Sequence, residues 1–577
     1  MSNFRTLFIA ASFSLLPSFL AAGELPYAKL SGEVGHAADV STARLYCAPF
    51  DSLPWLRADL TNETVSEHDK NFHNVMRRPY KHYSGDISGR FLEIMALNSR
   101  GDWTVHPAFK GLVQETLKHQ RAGGYFCASG DIDWQQPLDY DANDQTLSKG
   151  RMLPALWGNS RMLCGLVEVA RAFPDNQPIA DATRRLGDFY ISVLPRFNDP
   201  ARVDEYNGAG TYAAGHVTCW FPAMEGLVKL SNLTGEKKYL DAAVKMAAFY
   251  HRFDTLPIDH AHGMLCNQFS LVLLYEATKN PAYLAGVEKR WEDLIAGGYV
   301  NPAGGILEKC RVEFERDEGC GIADWFRLNL ALGKVTGNPR YWAMAERTLH
   351  NHFLQNQHPN GGFGHRYVLT DSKGVYGFQK RNYESTWCCT FHGELGFAQL
   401  RNHLIDRDGD VLVCNFPLEF TAQDEVGIIT SLHQLPWKDS HVVRQRIALA
   451  GQPASRVRVR HPHWADQVIA RSGWGKELEL ESKDGWHTTK EPVTEVLFVY
   501  IGDVYAEDRF CNRLLDGPPK DKPFVIGYGP KLLAAQGDSL KVPVWPTTLK
   551  VLEAQGIKPL SSATRNKPCC FVTGCGE

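Results

Sequence analysis

The sequence predicts an α + β multidomain chain, an (α/α)6 toroid (barrel) followed by a β-sandwich, on three observations. A helix–turn–helix unit recurs through the middle of the chain. Apolar periodicity changes from helical to strictly alternating after about residue 408. The residues able to do chemistry fall in loops just ahead of apolar helices. Length and composition set the frame: 577 residues, 44% hydrophobic and 22% charged, describe an ordinary globular protein of several domains and exclude wholesale disorder. A net charge of −3 argues against a broad nucleic-acid surface or a polybasic membrane patch. Fourteen Trp and 21 Tyr suit a carbohydrate binder, since sugar C–H faces stack on rings, and they equally suit an ordinary core.

Residues 1–23 read as a signal peptide. Arg5 precedes an apolar run from Leu7 to Ala22, broken by Pro17 and closed by the small residues Ala21, Ala22 and Gly23. The run is short for a membrane span, and no later segment reaches the ~18 apolar residues that one needs. The mature chain is expected in a periplasm or outside the cell. Residues 24–80 are expected to pack on the barrel or the sandwich. Asn62-Glu63-Thr64 and Asn232-Leu233-Thr234 are glycosylation sequons, relevant where the host glycosylates.

Residues 81–407 carry the repeat. Leu230-Ser-Asn-Leu-Thr-Gly-Glu-Lys-Lys-Tyr239 matches the segments Leu274–Tyr283 and Leu332–Tyr341, and a looser copy runs into Ile179. Each copy reads as a helix, a Gly/Asn/Pro turn and a second helix. Ala242, Val244, Ala247, Ala248 and Tyr250 mark the packed stripe of one second helix. A helical hairpin cannot bury its apolar face alone, so stacked copies imply a solenoid or its closed form, with room for about six pairs. Residues 408–545 read as the sandwich: Arg456–Arg460 and Glu477–Glu481 alternate, and Val496–Ile501 is a short apolar run. Alternating Arg and Val reads as a solvated sheet face rather than an anion-binding one. Residues 546–577 form a C-terminal tail in which Cys569, Cys570 and Cys575 have no predicted element.

Fourteen cysteines in an exported chain raise the question of disulfides. Their spacing is not that of a stapled small domain, and Cys164, Cys219 and Cys266 lie in apolar helical stretches as buried packing residues. Adjacent cysteines such as Cys388 and Cys389 rarely bridge, because the bond strains one peptide unit. Two segments then stand out: Asp317-Glu318-Gly319-Cys320-Gly321 and Tyr383-Glu-Ser-Thr-Trp387-Cys388-Cys389-Thr-Phe-His392-Gly393. Together Glu318, Cys320, Cys388 and Cys389 offer three soft sulfurs and one oxygen, a four-coordinate set suited to Zn2+. A purely structural zinc site, or thiols that only pack, are the alternatives on spacing alone.

These residues resemble the β-L-arabinofuranosidase-type glycoside hydrolases. The resemblance runs from Tyr83-Ser-Gly-Asp86 through Gly123-Gly-Tyr125, the helical repeats, His260-Ala-His262 and the two cysteine segments to Arg456-Val-Arg-Val-Arg-His-Pro-His-Trp464. It implies an exported, zinc-dependent, retaining exo-glycosidase in which Cys388 is the nucleophile and Glu318, Cys320 and Cys389 are its co-ligands. The segment Thr390-Phe-His392-Gly393 after the cysteine pair, and the short stretch before Glu318, mark a divergent branch.

Glycoside cleavage also needs a carboxylic acid across the pocket. Glu308, at the end of Gly304-Gly-Ile-Leu-Glu308, is the candidate, with Glu313 and Glu315 as rivals. Sugar contacts are expected from His216, His260, His262, Tyr383, Trp387 and His392, together with Tyr212 and, more weakly, Asn159 and Arg161. Two other functions fit the composition: an (α/α)6 unsaturated-uronyl hydrolase or polysaccharide lyase without zinc, and a non-catalytic glycan-binding protein with a structural zinc.

Overall fold

The computed structural model describes residues 27–61, 82–138, 150–202, 216–253, 256, 258–311, 316–369, 377–424, 427–434, 442–451, 453–473, 475–515, 524–536, 549–561 and 568–571. Twelve helices build the ring: α1 (Gly32–Arg44), α2 (Asp86–Ser99), α3 (Phe109–His119), α4 (Met152–Ala172), α5 (Gln177–Phe197), α6 (Ala223–Thr234), α7 (Lys237–Tyr250), α8 (Ala261–Thr278), α9 (Pro281–Ala296), α10 (Gly319–Thr336), α11 (Pro339–Thr348) and α12 (Cys389–Arg401). The even-numbered helices touch in succession, and α12 returns to α2, which closes an inner ring of six. The odd-numbered helices lie outside it, with α3, α5, α7, α9 and α11 each on the inner helix that precedes it. The outer partner of α12 is α1. Five pairs therefore come from the repeat region, and the sixth is completed from upstream of residue 81.

The recurring motif is the turn chemistry of this ring. Thr234, Thr278 and Thr336 return their hydroxyls to the carbonyls of Leu230, Leu274 and Leu332 at 2.8, 2.6 and 2.6 Å. Gly235, Lys279 and Gly337 then end the inner helices in the left-handed region. Asn280 and Asn338 cap the next helices by accepting from the backbone N–H of Ala282 and Arg340, each at 3.1 Å, with proline in the first turn. Tyr239, Tyr283 and Tyr341 are the buried anchors. In α7 the packed stripe runs through Ala243 and Met246, while Ala248 faces solvent.

Helices α2 and α4 approach most closely, and glycine is the reason. A Cβ on Gly89 would sit 2.4 Å from the Met162 backbone nitrogen, and one on Gly165 would sit 2.4 Å from the Gly89 carbonyl oxygen. Asp59 ties the start of α2 to the N-terminal segment, accepting from the backbone N–H groups of Gly85, Ile87 and Ser88 at 3.0–3.2 Å.

Two sheets follow the ring. One runs Tyr27–Leu30, Phe420–Gln423, Ile428–Gln434, Val442–Ala450, Glu495–Ile501, Gln467–Arg471, Glu477–Leu478, so the described chain begins on the edge of a sheet built from its later half. The other runs Leu480–Lys483, Trp486–Thr489, Arg456–Arg460, Val411–Cys414, Ile405–Asp408. The alternation expected over 477–481 is split at Glu479 between the two sheets. Val443, Ile447 and Phe498 of the first sheet and Leu412, Val457 and Val459 of the second share one buried cluster with Ile322, Phe326, Trp342 and Phe397 of the ring. Arg460 and Trp464 complete the docking, donating to Glu346 Oε2 of α11 at 2.8 and 3.0 Å.

A third sheet was not legible in the sequence. The hairpin Gly364–Leu369 and Gly377–Glu384, inserted between α11 and α12, pairs through Cys569–Phe571 with Lys531–Gln536 and the strands beyond it. The tail, expected to hold no element, supplies the linking strand, because Phe571 packs on Phe378 at 5.3 Å and Cys569 is buried beside it. Among the described residues no helix is long and apolar enough to cross a membrane.

Gly89→Ala tests the glycine contact. Forcing a methyl into backbone 2.4 Å away is expected to destabilise the chain by ~1–3 kcal/mol or more, read as a lower urea midpoint with an unchanged slope. Gly235→Ala, where a Cβ meets nothing within 4 Å, costs only the strain of its positive φ, about 1 kcal/mol.

Candidate functional site

The N-termini of the inner helices converge at one mouth of the ring and carry the site with them. Glu318 is the N-cap of α10 and Cys320 lies in its first turn, while Cys388 is the N-cap of α12 and Cys389 its first residue. One ligand atom from each lies within 4.8 Å of the others, and all four residues are buried. Cys389 Sγ is 3.7 Å from Cys320 Sγ and 3.6 Å from Cys388 Sγ. Two helix N-termini aimed at this cluster favour negative charge on it.

The four groups cannot all ionise without a cation. Burial works against Cys389, yet hydrogen bonds from Cys320 and Cys388 and the nearby His365 outweigh it and bring that thiol well below its usual value. Burial and then the charge on Cys389 push Glu318 well above the carboxylate range, and burial with the neighbouring thiols raises Cys320. Glu318 Oε2 is buried with no hydrogen-bond partner, 3.7 Å from His260 Nε2. A soft donor set with an orphaned carboxylate oxygen fits a metal ion, which would neutralise the charge that the groups otherwise refuse.

Glu308 stands beside this set. It is close enough to Glu318 for the two carboxylates to repel. Its Oε2 accepts from Arg316 Nε, and His365 Nδ1 lies 3.6 Å away. The backbone places it twice over: its N–H donates to the Arg316 carbonyl at 3.0 Å, and its carbonyl accepts from Ala261 N–H at the start of α8 at 2.9 Å. Leu307, one residue earlier, is packed in the cluster that holds Phe378, Cys569 and Phe571. The Gly304-Gly305 turn is needed here, since Gly304 has φ +84° and a Cβ on Gly305 would strike the His352 ring at 2.0 Å.

The histidines form a connected wall. His260 caps α8, and its ring lies 5.5 Å from that of His262, which lies 4.6 Å from His392. Burial holds His260 down to about 3 and keeps His262 and His392 below their ordinary value as well. Arg90, held by Asp86 at 2.7 Å, donates to His392 Nδ1 and, at 3.3 Å, to His262 Nε2. On the other side His262 Nδ1 bonds Asp324, which Arg327 holds at 2.9 Å. His262, Cys266, Asp324 and His392 also lie within 4.8 Å of one another. Two guanidiniums in contact with that group oppose a cation, so it is a hydrogen-bonded network and the thiol set is the metal candidate.

Tyr383 and Trp387 stand at the rim with rings 5.7 Å apart, and Tyr383 is 40% exposed. Burial pushes the Tyr383 phenol up to about 12, with Arg316 opposing the effect and the two cysteines and Glu308 adding to it, and its ring lies 5.2 Å from that of His365. His216 opens a one-turn helix, His216–Cys219, and its side chain lies outside the described residues, as do Tyr212, Glu313 and Glu315. Asn159 serves the fold instead, bonding the backbone of Phe126 and Ala155. Arg161 is buried 3.7 Å from Glu225. Twelve cysteines, Cys320, Cys388, Cys389 and Cys569 among them, are free thiols.

Sequence reasoning missed Arg90, Asp324, Arg316 and His365. Arg90 lies four residues after Asp86 and Asp324 four after Cys320, the spacing of one helix face, so a signal existed for both. His365 had none, because only the hairpin brings it across.

Residues 308–401 match the family model for the β-L-arabinofuranosidase, GH127 catalytic domain, a span that runs from Glu308 through Glu318–Cys320 and Cys388–Cys389. No curated protein matches the chain. Among solved structures, a GH127 β-arabinofuranosidase is 14% identical, with 89% of this chain and 85% of that one covered at a TM-score of 0.61. A GH127 β-L-arabinofuranosidase from Geobacillus stearothermophilus T6 is 12% identical, with 95% of this chain and 100% of that one covered, also at 0.61. A third, described as a glycoside hydrolase, is 12% identical, with 88% and 84% covered at 0.57. At these identities the structures show a shared fold, and the family match falls on the segment that builds the site. The chain thus shares the fold of these glycoside hydrolases, and its residues 308–401 are similar to the β-L-arabinofuranosidase, GH127 catalytic domain.

Proposed function

We propose that this protein is an exported, zinc-dependent, retaining exo-glycosidase that removes terminal sugars from glycans, with Cys388 as nucleophile and Glu308 as acid and base. The observation that carries the reading is the juxtaposition of three buried thiols and Glu318, within 4.8 Å of one another, with a second buried carboxylate, Glu308, held at the start of α8 beside His260. Export rests on residues 1–23, which lie outside the described residues.

Glu318, Cys320, Cys388 and Cys389 would hold zinc, which when bound supplies positive charge that keeps the thiols deprotonated. The Cys388 thiolate attacks the anomeric carbon as Glu308 delivers its proton to the departing glycosidic oxygen, so a C–S bond forms and the C–O bond breaks. Glu308, now a carboxylate, takes a proton from water, whose oxygen attacks the same carbon and releases the thiolate. Two displacements retain configuration. Arg316 and His365 orient the Glu308 carboxyl, His260 and His262 present ring nitrogens to sugar hydroxyls, and Tyr383 with Trp387 offers rings to a sugar face at the rim. The buried wall behind Cys388 keeps bulk water from competing with the thiolate.

Metal and nucleophile separate by mutation. The purified chain is expected to carry about one zinc, the count set by one four-ligand site. Cys320→Ser should lower metal content and thermal midpoint together, because binding free energy at a preformed site is also folding free energy. Cys388→Ser should abolish turnover of aryl glycosides with the fold intact, whereas Cys389→Ser acts chiefly through the metal. Full activity in Cys388→Ser with zinc bound would remove the nucleophile assignment.

The acid is tested with leaving groups. Protonation of a sugar alkoxide is worth typically ~10²–10⁴-fold, while a nitrophenolate departs without it. Glu308→Gln should lose natural glycosides yet keep its first step on nitrophenyl substrates, accumulating a glycosyl thioether on Cys388 visible by intact mass. Azide, which needs no base, should restore turnover with retained configuration. Wild-type behaviour on both substrate classes would move the acid elsewhere, with Glu315 next to test.

A further inference from the structure

A cavity of about 1090 Å³ lies well away from the thiol set, where the turn between α10 and α11 meets the second sheet. Helix α10 joins the two places: Glu318 caps its start, and Thr336 and Gly337 at its end line the cavity. Eighteen residues at ~1.5 Å each put the cavity roughly 27 Å from the metal ligands. The cavity is therefore separate from the site described above and owes nothing to the chemistry at Cys388.

Its walls are preformed. Gly485, with φ +78°, seats the hairpin turn between Leu480–Lys483 and Trp486–Thr489 directly on Pro339, where a Cβ would come within 2.8 Å of the proline ring. Trp486 donates its Nε1–H to the Gly337 carbonyl at 3.0 Å, which fixes the indole while its ring, only partly buried, lines the cavity. Trp342, almost fully buried, packs below. The arginines of the alternating strand are already engaged: Arg458 bonds Asp408 at 3.0 Å and Thr488 at 3.1 Å, and Arg456 bonds Asp410 at 3.2 Å. Arg407 bonds Asp424 at 2.8 Å.

That pattern selects for a class of ligand. The lining sets Lys334, Lys483, Arg407, Arg456 and Arg458 against Asp406, Asp408, Glu481 and Asp484, a near balance of charge that projects little net positive field, so the cavity is poorly suited to phosphate or polyuronate. Arginine–carboxylate pairs do present rigid N–H and oxygen edges, which suit vicinal hydroxyls, and the exposed indole face suits sugar C–H groups. The volume matches the upper end of the ~300–1,000 Å³ typical of small-molecule sites, which is room for an oligosaccharide rather than one ring. We propose that this cavity is a second glycan-binding site, taking a neutral oligosaccharide segment against Trp486 and the Arg458–Asp408 pair. It would hold the chain on a polymer independently of the residue being cleaved.

Affinity electrophoresis of the full chain through gels containing soluble arabinan, galactan or xylan, with polygalacturonate for comparison, tests this. At least one neutral polysaccharide should retard the protein, and Cys388→Ser should be retarded equally. Trp486→Ala should bind about tenfold more weakly while its turnover of aryl glycosides stays near wild type. Trp486→Phe, which keeps a ring and loses the N–H, should bind nearly as wild type, so a lost indole hydrogen bond is distinguished from a lost stacking face. Should Trp486→Ala fail to fold, Arg458→Gln serves in its place and should weaken retardation with Trp486 intact. Retardation unaffected by both Trp486→Ala and Arg458→Gln, by polygalacturonate alone or by no polysaccharide overturns the proposal. So does sedimentation showing that Trp486 mediates association of two copies.

Discussion

Four groups that each prefer to be neutral when buried are crowded into one corner of the ring, and this crowding is what the surrounding structure exists to sustain. Glu318, Cys320, Cys388 and Cys389 lie within 4.8 Å of one another, all four buried. Water would solvate an ionised carboxylate or thiolate cheaply, whereas in this interior charge has to be balanced by helix N-termini and by neighbouring groups of opposite sign. Such a cluster keeps its geometry only if the elements carrying it cannot relax apart. Each of the three layers of the molecule contributes one restraint.

The ring supplies direction. Because outer helices return the chain to the same end each time, the inner N-termini of α8, α10 and α12 meet, bringing residues 260, 318 and 388 together. The third sheet supplies position. Its hairpin leads straight into Cys388, and its C-terminal strand packs on Phe378 in the same cluster as Leu307, which precedes Glu308. The sandwich supplies closure: it shares its core with α10, α11 and α12, and the Glu346 pair with Arg460 and Trp464 pins it to the ring. Asp317 ties the third sheet to the ring at the site itself, accepting from Arg366 N–H at 2.6 Å and Asn356 at 3.1 Å and pairing with His352 at 2.7 Å.

The two donor clusters side by side show how electrostatics assigns roles to similar residues. His262, Cys266, Asp324 and His392 have the composition of a metal site, but Arg90 and Arg327 touch them and supply the positive charge a metal would bring. The thiol set has no guanidinium in contact among the described hydrogen bonds and ion pairs, and it has an orphaned Glu318 oxygen. Composition and distance alone would have ranked the clusters equally.

Much of the architecture is local and was therefore legible in the sequence. The Thr–Gly–Asn–Pro turn is readable because Thr, Gly, Asn and Pro each satisfy or forbid a backbone hydrogen bond within a few residues. The Arg456–Arg460 strand is readable because its side chains alternate. Glu318-x-Cys320 and Cys388-Cys389 could be paired because soft donors are scarce and their joint use is chemically distinctive. The sixth outer helix, the third sheet, the tail strand at Cys569–Phe571 and the contacts of Arg90, Asp324 and His365 were decided only by the tertiary structure. Each depends on a partner tens to hundreds of residues away, as in Tyr27–Leu30 beside Phe420–Gln423 and Arg90 beside His392. No local propensity encodes such pairings, because the free energy that selects them arises when the ring closes and removes water from both partners at once.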